Sequence, residues 1–314
     1  MPDPVIEFRH VSFRYPAQPK AVLKDLHLSV GKGEIYGFLG PNGAGKSTAF
    51  RILVGLQEAT SGEALIEGSR TFVGDRDIYH RIGYMPDVGE AFDDCTVENL
   101  LRFFGRCHGM TEKVIQERIT ALLKRFHLEE LRNSVLENLS KGEKQQAHIM
   151  RTLIHSPKVL ILDEPASNLD PLRRMLLLDI LREEKEKGTT ILISSHILPE
   201  LENLCTSVAI LNGGLVAASG RIEELLDAHQ SFLKSYRVRF TGGIAEALRV
   251  LKDWGDAVKK VEEFPPDRIR FQLNGAPEDV SALLQLTIRQ GARICEFELE
   301  RKNIEQIYVD IVRN

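Results

Sequence analysis

The stretch that decides the fold is Gly40-Pro41-Asn42-Gly43-Ala44-Gly45-Lys46-Ser47-Thr48. It matches the phosphate-binding loop pattern G-x-x-x-x-G-K-[S/T]. The apolar run Ile35–Leu39 before it predicts a strand, and the apolar spacing of Ser47–Leu56 after it predicts a helix. In that context we expect the loop to enclose phosphate groups at the positive end of the helix. Lys46 would then reach the β- and γ-phosphates, and the Ser47 hydroxyl would bind Mg²⁺.

A second chemical feature follows a buried strand further along the chain. Val159–Leu162 is fully apolar, which is typical of a strand covered on both faces, and it ends in Asp163-Glu164. We expect Asp163, at the strand end, to hold Mg²⁺. Glu164, one residue on, points elsewhere and can polarise an attacking water. Acidic residues at strand ends are common, so this pair alone would not indicate a catalytic site. Together with the phosphate-binding loop it does.

The composition sets limits on the class of protein. A chain of 314 residues is long enough for one large α/β domain and a small second domain. The net charge of -4 disfavours a nucleic-acid partner. The four cysteines lie far apart, which favours free thiols in a reducing compartment. No apolar run approaches the roughly 20 residues that span a bilayer, and no signal peptide is recognisable. We therefore expect a cytoplasmic protein whose role at a membrane depends on a partner.

The remaining pattern predicts a domain over residues 1–230 and a second over 235–314. Within the first, residues 96–155 are mostly helical in spacing, and a helix over Leu172–Lys187 precedes a buried strand over Thr190–Ser194. A hairpin turned at residues 212–214 closes this domain. The tail has the order β-α-β-β-α-β followed by a last helix, which is similar to a ferredoxin-like fold.

One further motif, Leu139-Ser140-Lys141-Gly142-Glu143, lies just before a predicted helix. It resembles the signature motif of ABC ATPases, L-S-G-G-Q, although Lys141 and Glu143 depart from it. Taken alone, Ser140 is explained as well by helix capping. The order of features is what matters. The phosphate-binding loop, the signature, the acidic strand end, a turn at 167–170 and then His196 after a strand are similar to ABC ATPases at every step.

This resemblance implies a fold and a set of roles. The fold is an α/β P-loop NTPase of ABC type, with a mixed-sheet core and a helical subdomain near residues 88–157. Tyr15 would stack on adenine, although it could be an ordinary tyrosine at a strand end. Ser140 and Gly142 would contact the γ-phosphate held by a second protomer, and Asp170 would lie at that interface. His196 would contact the γ-phosphate beside Glu164.

Asp87 is a departure from the family pattern. In the phrase Ile82–Asp87 it stands where ABC ATPases usually carry glutamine. Its carboxylate offers oxygen to a hard cation, but it is one methylene shorter than glutamine. Whether it would contact Mg²⁺ directly is left open by the sequence.

The resemblance also implies partners. It predicts a subunit that binds and hydrolyses ATP, forms a dimer of two identical copies, and drives a transmembrane permease docked near residues 87–109. The phrases Arg151–His155 and Ser194–Leu198, with the tail, look most like the type-2 exporter branch. Two alternatives stay open. An importer ATPase usually has an all-β tail, whereas a soluble ABC protein acting on DNA or ribosomes usually has two cassettes or long coiled coils. The sequence does not name a transported substrate.

Overall fold

The computed structural model describes residues 3–16, 19–87, 92–195, 198–228, 234–300 and 304–313. Two compact units divide the chain. The first comprises Met1–Ile222 together with Tyr308–Asn314, and the second comprises Glu223–Ile307.

An antiparallel sheet forms one wall of the first unit. In sheet order its strands are β2 (Leu23–Val30), β1 (Ile6–Phe13), β4 (Ser61–Ile66) and β5 (Ser69–Arg70). Along β1 and β2 buried apolar residues recur between exposed ones, as expected for strands with one covered face. Phe8 of β1 stacks on Phe38, with ring centroids 6.4 Å apart, and Phe38 stacks on Phe50 at 5.6 Å. This column of aromatic rings joins the antiparallel sheet to the rest of the core.

The central sheet is mixed, as predicted. In sheet order its strands are β10 (Leu215–Arg221), β9 (Ser207–Asn212), β3 (Ile35–Leu39), β8 (Thr190–Ser194), β7 (Val159–Leu162) and β6 (Ile82–Met85). All neighbouring pairs are parallel except β10 with β9. Every residue of β3, β7 and β8 is buried. Because these three strands are parallel neighbours, their carboxyl ends lie side by side at one edge of the sheet.

The helices of the first unit are α1 (Lys46–Leu53), α2 (Ile78–Arg81), α3 (Val97–Cys107), α4 (Glu112–Arg125), α5 (Lys141–Leu153), α6 (Pro171–Glu186) and α7 (Leu198–Leu204). α1 ends earlier than the predicted Leu56. Gly55 adopts a left-handed conformation with φ +69°, and a Cβ there would lie 2.6 Å from the Phe72 carbonyl oxygen. Helix α4 is tied to α6 by Arg125, which forms ion pairs with Glu183 and Glu184.

The second unit begins within α8 (Ile222–Ala228), whose first residue still belongs to the first unit. After α8 it has the predicted β-α-β-β-α-β order. Its further elements are β11 (Lys234–Gly242), α9 (Ile244–Asp253), β12 (Val258–Phe264), β13 (Arg268–Leu273), α10 (Pro277–Arg289) and β14 (Arg293–Glu300). The sheet is antiparallel in the order β12-β13-β11-β14. Val238, Phe240 and Phe271 are buried in its core, together with Leu251 of α9 and Leu283 of α10. The last helix, α11 (Ile304–Arg313), passes back into the first unit from Tyr308 onward.

Across the described ranges, no helix combines the length and the apolar character needed to span a bilayer.

Candidate functional site

The loop between β3 and α1 has a shape that its glycines make possible. Gly43 and Gly45 adopt positive φ angles of +81° and +107°. At Gly45 a Cβ would also lie 2.7 Å from Leu23 Cδ2 and 3.0 Å from the Val22 carbonyl oxygen. At Gly40 a Cβ would lie 2.8 Å from the Leu211 carbonyl oxygen. The loop is therefore curled closely against neighbouring backbone in a way that side chains at these positions would prevent.

Lys46, the first residue of α1, is folded into this loop. Its side chain is only 7% exposed, and its Nζ donates a hydrogen bond of 2.7 Å to the Gly40 carbonyl oxygen. The same nitrogen lies 3.7 Å from Glu164 Oε1. An ammonium held inside a glycine-rich loop, at a helix N-terminus, provides a positive site for the phosphates of a nucleotide.

Asp163 lies at the carboxyl end of β7 and is 1% exposed. The hydroxyl of Ser194, at the end of the adjacent strand β8, donates a hydrogen bond of 2.6 Å to Asp163 Oδ1. The same Ser194 oxygen accepts a hydrogen bond of 2.9 Å from the Glu164 backbone N–H. A single serine thus fixes both acidic positions, and the parallel pairing of β7 with β8 is what brings it there.

Glu164 adopts an uncommon backbone conformation, with φ +49°. Non-glycine residues in this region carry a conformational cost that surrounding contacts have to offset. Gln145 of α5 helps to offset this cost. Its Nε2 donates hydrogen bonds to the Glu164 carbonyl oxygen at 3.3 Å and to the Pro165 carbonyl oxygen at 3.0 Å. The turn after β7 brings the Glu164 carboxylate to within 3.7 Å of the Lys46 ammonium.

A cavity of about 420 Å³ unites these groups. Its wall includes most of the sequence-predicted site residues: Tyr15, Pro41, Asn42, Gly43, Ala44, Gly45, Lys46, Ser47, Thr48, Asp87, Asp163 and Glu164. Val22 completes it, a residue that the motifs did not indicate. The Tyr15 hydroxyl lies 3.4 Å from Thr48 Oγ1, and its ring packs edge-on against Phe13.

The oxygen donors in this cavity suit a hard divalent cation. The Ser47 hydroxyl and the carboxylates of Asp163 and Asp87 share its wall. Within the described ranges, no group of three or more His, Cys, Asp or Glu side chains is arranged to hold a metal ion. Mg²⁺ is usually held in proteins by one or two carboxylates together with substrate phosphates, which the Ser47, Asp163 and Asp87 oxygens would fit.

Ser140 and its neighbours do not belong to this cavity wall. Ser140 is the N-cap of α5 and forms a capping box with Glu143. Its hydroxyl donates a hydrogen bond of 2.7 Å to Glu143 Oε2, and this bond, with the cation of Arg173 beside it, lowers the pKa of Glu143. Gly142 is buried in the first turn of the same helix.

Arg173 of α6 connects the signature segment to the turn at Asp170. It forms an ion pair of 2.9 Å with Glu143, and its Nη1 lies 3.4 Å from Ser140 Oγ. Asp170 is the N-cap of α6 and accepts a hydrogen bond of 3.0 Å from the Arg173 backbone N–H. A Cβ at Gly142 would lie 2.9 Å from Arg173 Nη1. Ser140 and Asp170 are therefore exposed on a second surface, and Arg173 connects them to each other and to the buried Gly142.

Sequence reasoning missed Ser194, Gln145 and Arg173. Ser194 stands at the end of a strand that was predicted correctly, and strand adjacency was the signal that could have identified it. The positions of Gln145 and Arg173 depend on how α5 and α6 pack, which no local pattern reveals. His196 lies outside the described residues.

The comparisons with known proteins agree with this geometry. Residues 23–167 match the family described as ABC transporter. The Bacillus subtilis protein named uncharacterized ABC transporter ATP-binding protein YxlF is 32% identical over 293 residues, covering 92% of this chain and 94% of its own length. Nod factor export ATP-binding protein I of Cupriavidus pinatubonensis is 35% identical, covering 71% of this chain and 68% of its own. A solved ATP-binding subunit of an ABC transporter is 35% identical with a TM-score of 0.67, covering 71% of this chain and 92% of its own.

Proposed function

This chain belongs to the ATP-binding subunits of ABC transporters, as its motifs predicted, and we propose that it powers export through a separate transmembrane permease. ATP binding and ATPase activity are general to this family.

The observation that carries the proposal is the meeting of Lys46, Asp163 and Glu164 in one cavity. Lys46 and the loop hold the β- and γ-phosphates of ATP. Ser47 and Asp163 would hold Mg²⁺, with Asp87 on the same cavity wall, and the bound ion would supply positive charge to the phosphates. Glu164 orients a water for in-line attack and accepts its proton. Its carboxylate lies 3.7 Å from the Lys46 ammonium, which places it beside the position assigned to the γ-phosphate.

Dimerisation completes the site in this account. Ser140, Gly142 and Asp170 lie outside the wall of the cavity that holds Lys46, and the resemblance to ABC ATPases assigns them to a γ-phosphate held by a second copy. Two copies arranged head to tail then enclose two ATP molecules. Closure of this dimer, followed by hydrolysis and reopening, moves the permease. His196 is assigned to the γ-phosphate on the resemblance alone.

Export is favoured over import by one relative in particular. Nod factor export ATP-binding protein I carries an export function in its name and is 35% identical to this chain. The α+β tail gives further support. We propose that the protein works at the inner face of the membrane, where it is attached through its permease.

Co-purification tests this proposal. The tagged chain is expressed in its native host and recovered from a mild detergent extract, and its companions are identified by mass spectrometry. We expect a multispanning membrane protein together with ATPase activity that the complex stimulates. Recovery of ribosomes or DNA in place of a membrane protein would support the soluble alternative. A solute-binding protein bound to the same complex would indicate import.

A further inference from the structure

One edge of the sheet in the second unit is a strand with a neighbour on one side only. β14 pairs with β11, and in the sheet order β12-β13-β11-β14 it is the outermost strand among the described residues. Over residues 296–300 its pairing with residues 235–239 is regular, one residue against one. In an antiparallel pair every second residue directs its N–H and C=O groups away from the partner strand. The regular part of β14 therefore presents a row of backbone groups at the edge of the sheet.

The opposite edge strand, β12, is built differently. Its register with β13 shifts between Lys259 and Glu262, and Lys260 adopts a left-handed conformation with φ +47°. Irregular pairing and edge lysines are devices that discourage a sheet edge from pairing with another chain. Residues 296–300 of β14 contain no lysine and no proline, and their register has no shift. Of the two edges, β14 is the one that can accept a further strand.

One face of β14 is acidic, because alternation places Glu296, Glu298 and Glu300 on the same side of the sheet. Glu296 forms an ion pair with Arg239, and the Glu298 carboxylate lies 3.9 Å from Arg237. Glu300 pairs with arginines of β11 and β13. These arginines lie one or two strands inward, and the side chains of Glu296 and Glu298 are 59% and 67% exposed. Over residues 296–300 the carboxylates are therefore the outermost charges.

The other face of the same segment is apolar and only half covered. Phe297 and Leu299 pair with Val238 and Tyr236 of β11, which are 2% and 5% exposed. Phe297 also stacks on Tyr236, with ring centroids 5.2 Å apart. Phe297 nevertheless stays 38% exposed and Leu299 37% exposed. A strand added beside β14 would bury this remaining apolar surface.

We propose that the β14 edge, residues 296–300, binds an extended segment of a partner protein in which basic residues alternate with apolar ones. The segment adds a strand to the sheet and pairs its backbone with the outward N–H and C=O groups. Its lysine or arginine side chains lie opposite the three glutamates, and its apolar side chains lie against Phe297 and Leu299. This inference goes beyond the proposed transport function, because no residue of the ATP cavity takes part.

A second copy of this chain does not suit the edge. Any pairing of β14 with itself that matches apolar face to apolar face places glutamate opposite glutamate. Like charges directly opposite each other destabilise a strand pair, whereas opposite charges stabilise it. The charge of the edge therefore selects a basic segment.

Peptide binding to the full chain tests this chemistry. A short fluorescein-labelled peptide of alternating lysine and valine is titrated with the protein, and binding is followed by fluorescence anisotropy. One control peptide has glutamate in place of lysine, and the other has the same composition with all lysines grouped at one end. We expect the alternating basic peptide to bind about tenfold or more tighter than either control, because three cross-strand charge pairs act together. Equal affinity for the grouped peptide would reduce the effect to general charge attraction and contradict the proposal.

Charge reversal tests the position. Glu298 and Glu263 are exposed glutamates on the two opposite edges of the sheet. We expect Glu298→Lys to weaken binding of the alternating basic peptide about tenfold or more and Glu263→Lys to change it less than about twofold. Melting temperatures show whether both variants are folded. If Glu298→Lys is not, Glu298→Gln replaces it, with an expected loss of about threefold. Equal weakening by the substitutions on both edges would place the binding outside β14.

Hydrogen exchange identifies the added strand directly. Exchange of the amides of residues 296–300 is measured by mass spectrometry in the full chain, with and without saturating alternating peptide, and β12 serves as the internal control. We expect the outward amides of β14 to exchange rapidly in the free chain and about tenfold or more slowly with peptide, while β12 is unchanged. Strong protection of all these amides in the free chain would show that the edge is already covered. Unchanged exchange at saturation would show that the peptide binds elsewhere, and either result would overturn the proposal.

Discussion

Lys46 Nζ lies 3.7 Å from Glu164 Oε1, and both side chains are largely enclosed, at 7% and 12% exposed. The lysine comes from the loop after β3 and the glutamate from the turn after β7. Their approach places the carboxylate of Glu164 beside the ammonium group that we assign to the γ-phosphate. It also gives each charge a partner, so removal of either one alters the environment of the other.

Ser194 should be essential to the positions of Asp163 and Glu164. Ser194→Ala removes the donor to the buried Asp163 carboxylate and the acceptor for the Glu164 N–H. We expect ATP hydrolysis to fall about tenfold, because a lost hydrogen bond to a buried charge costs about 1–3 kcal/mol. ATP affinity, measured by calorimetry, should stay within about threefold. Ser207→Ala, at another buried strand serine, is the control and should hydrolyse ATP normally.

Arg173 should affect turnover more than nucleotide affinity. Arg173 forms an ion pair with Glu143, and Glu143 in turn accepts a hydrogen bond from the Ser140 hydroxyl. Both contacts lie outside the ATP cavity. For Arg173→Gln we expect kcat to fall about three- to tenfold and ATP affinity of the monomer to stay within about twofold, as one charged hydrogen bond is lost. Arg182→Gln on the same helix is the matched control. Equal loss of kcat in both variants would mean that the contacts of Arg173 with Glu143 and Ser140 do not affect turnover.

His155 should make stability depend on pH. Burial, with His108 the next contributor, lowers its pKa from the ordinary 6.5 to about 4, and His80 and Arg118 act in the same direction. Between these two pH values the unfolded chain binds more protons than the folded one. The contribution of His155 to the free energy of unfolding is therefore complete above about pH 6.5 and is lost as the pH falls toward 4. We expect a loss of roughly 1–3 kcal/mol from this group, measured by urea unfolding at pH 7.5 and pH 5.

The variant His155→Gln keeps a donor for the Ile82 carbonyl oxygen but does not titrate. It should therefore show a flatter dependence of stability on pH than the parent. His10→Gln, at an exposed histidine paired with Asp25, should keep the parental dependence. The same slope in His155→Gln as in the parent would assign the effect to other groups.

Local patterns were sufficient to predict the strands that carry the site. Ile35–Leu39 and Val159–Leu162 are short apolar runs with the bounds that the structure shows, because strands buried on both faces need no alternation. The α+β order of the tail was equally readable. The end of α1 was misjudged, since apolar spacing continues to Leu56 while Gly55 turns the backbone.

Contacts between distant segments could not be predicted in the same way. The left-handed conformation of Glu164 is imposed by Ser194 and Gln145, which approach it from β8 and α5. The contact of Arg151 on α5 with Phe104 on α3, where the guanidinium lies 4.8 Å from the ring centroid, is likewise made by packing between distant segments. In the sequence Glu164 is an ordinary acidic residue after a strand. Arg151 is an ordinary basic residue within a predicted helix.

Dimer formation gives a direct test of the second surface. Glu164→Gln should retain bound ATP, so its γ-phosphate can bridge Lys46 to Ser140 of another copy. With Mg²⁺ and ATP we expect a dimer by size-exclusion chromatography with light scattering, and a monomer with ADP. Adding Ser140→Arg should abolish the dimer while ATP binding persists. A dimer that survives Ser140→Arg would place the interface elsewhere.

The rate of phosphate release by Glu164→Gln tests the central claim most directly. The amide keeps the shape of the side chain but lacks the negative charge that a general base needs to orient water and accept its proton. Loss of a general base typically lowers a rate by about a hundredfold or more. We therefore expect Glu164→Gln to bind ATP within about threefold of the parent and to release phosphate at least a hundredfold more slowly. Release at the parental rate, with ATP binding shown in the same sample, would contradict the assignment of Glu164 as the catalytic base.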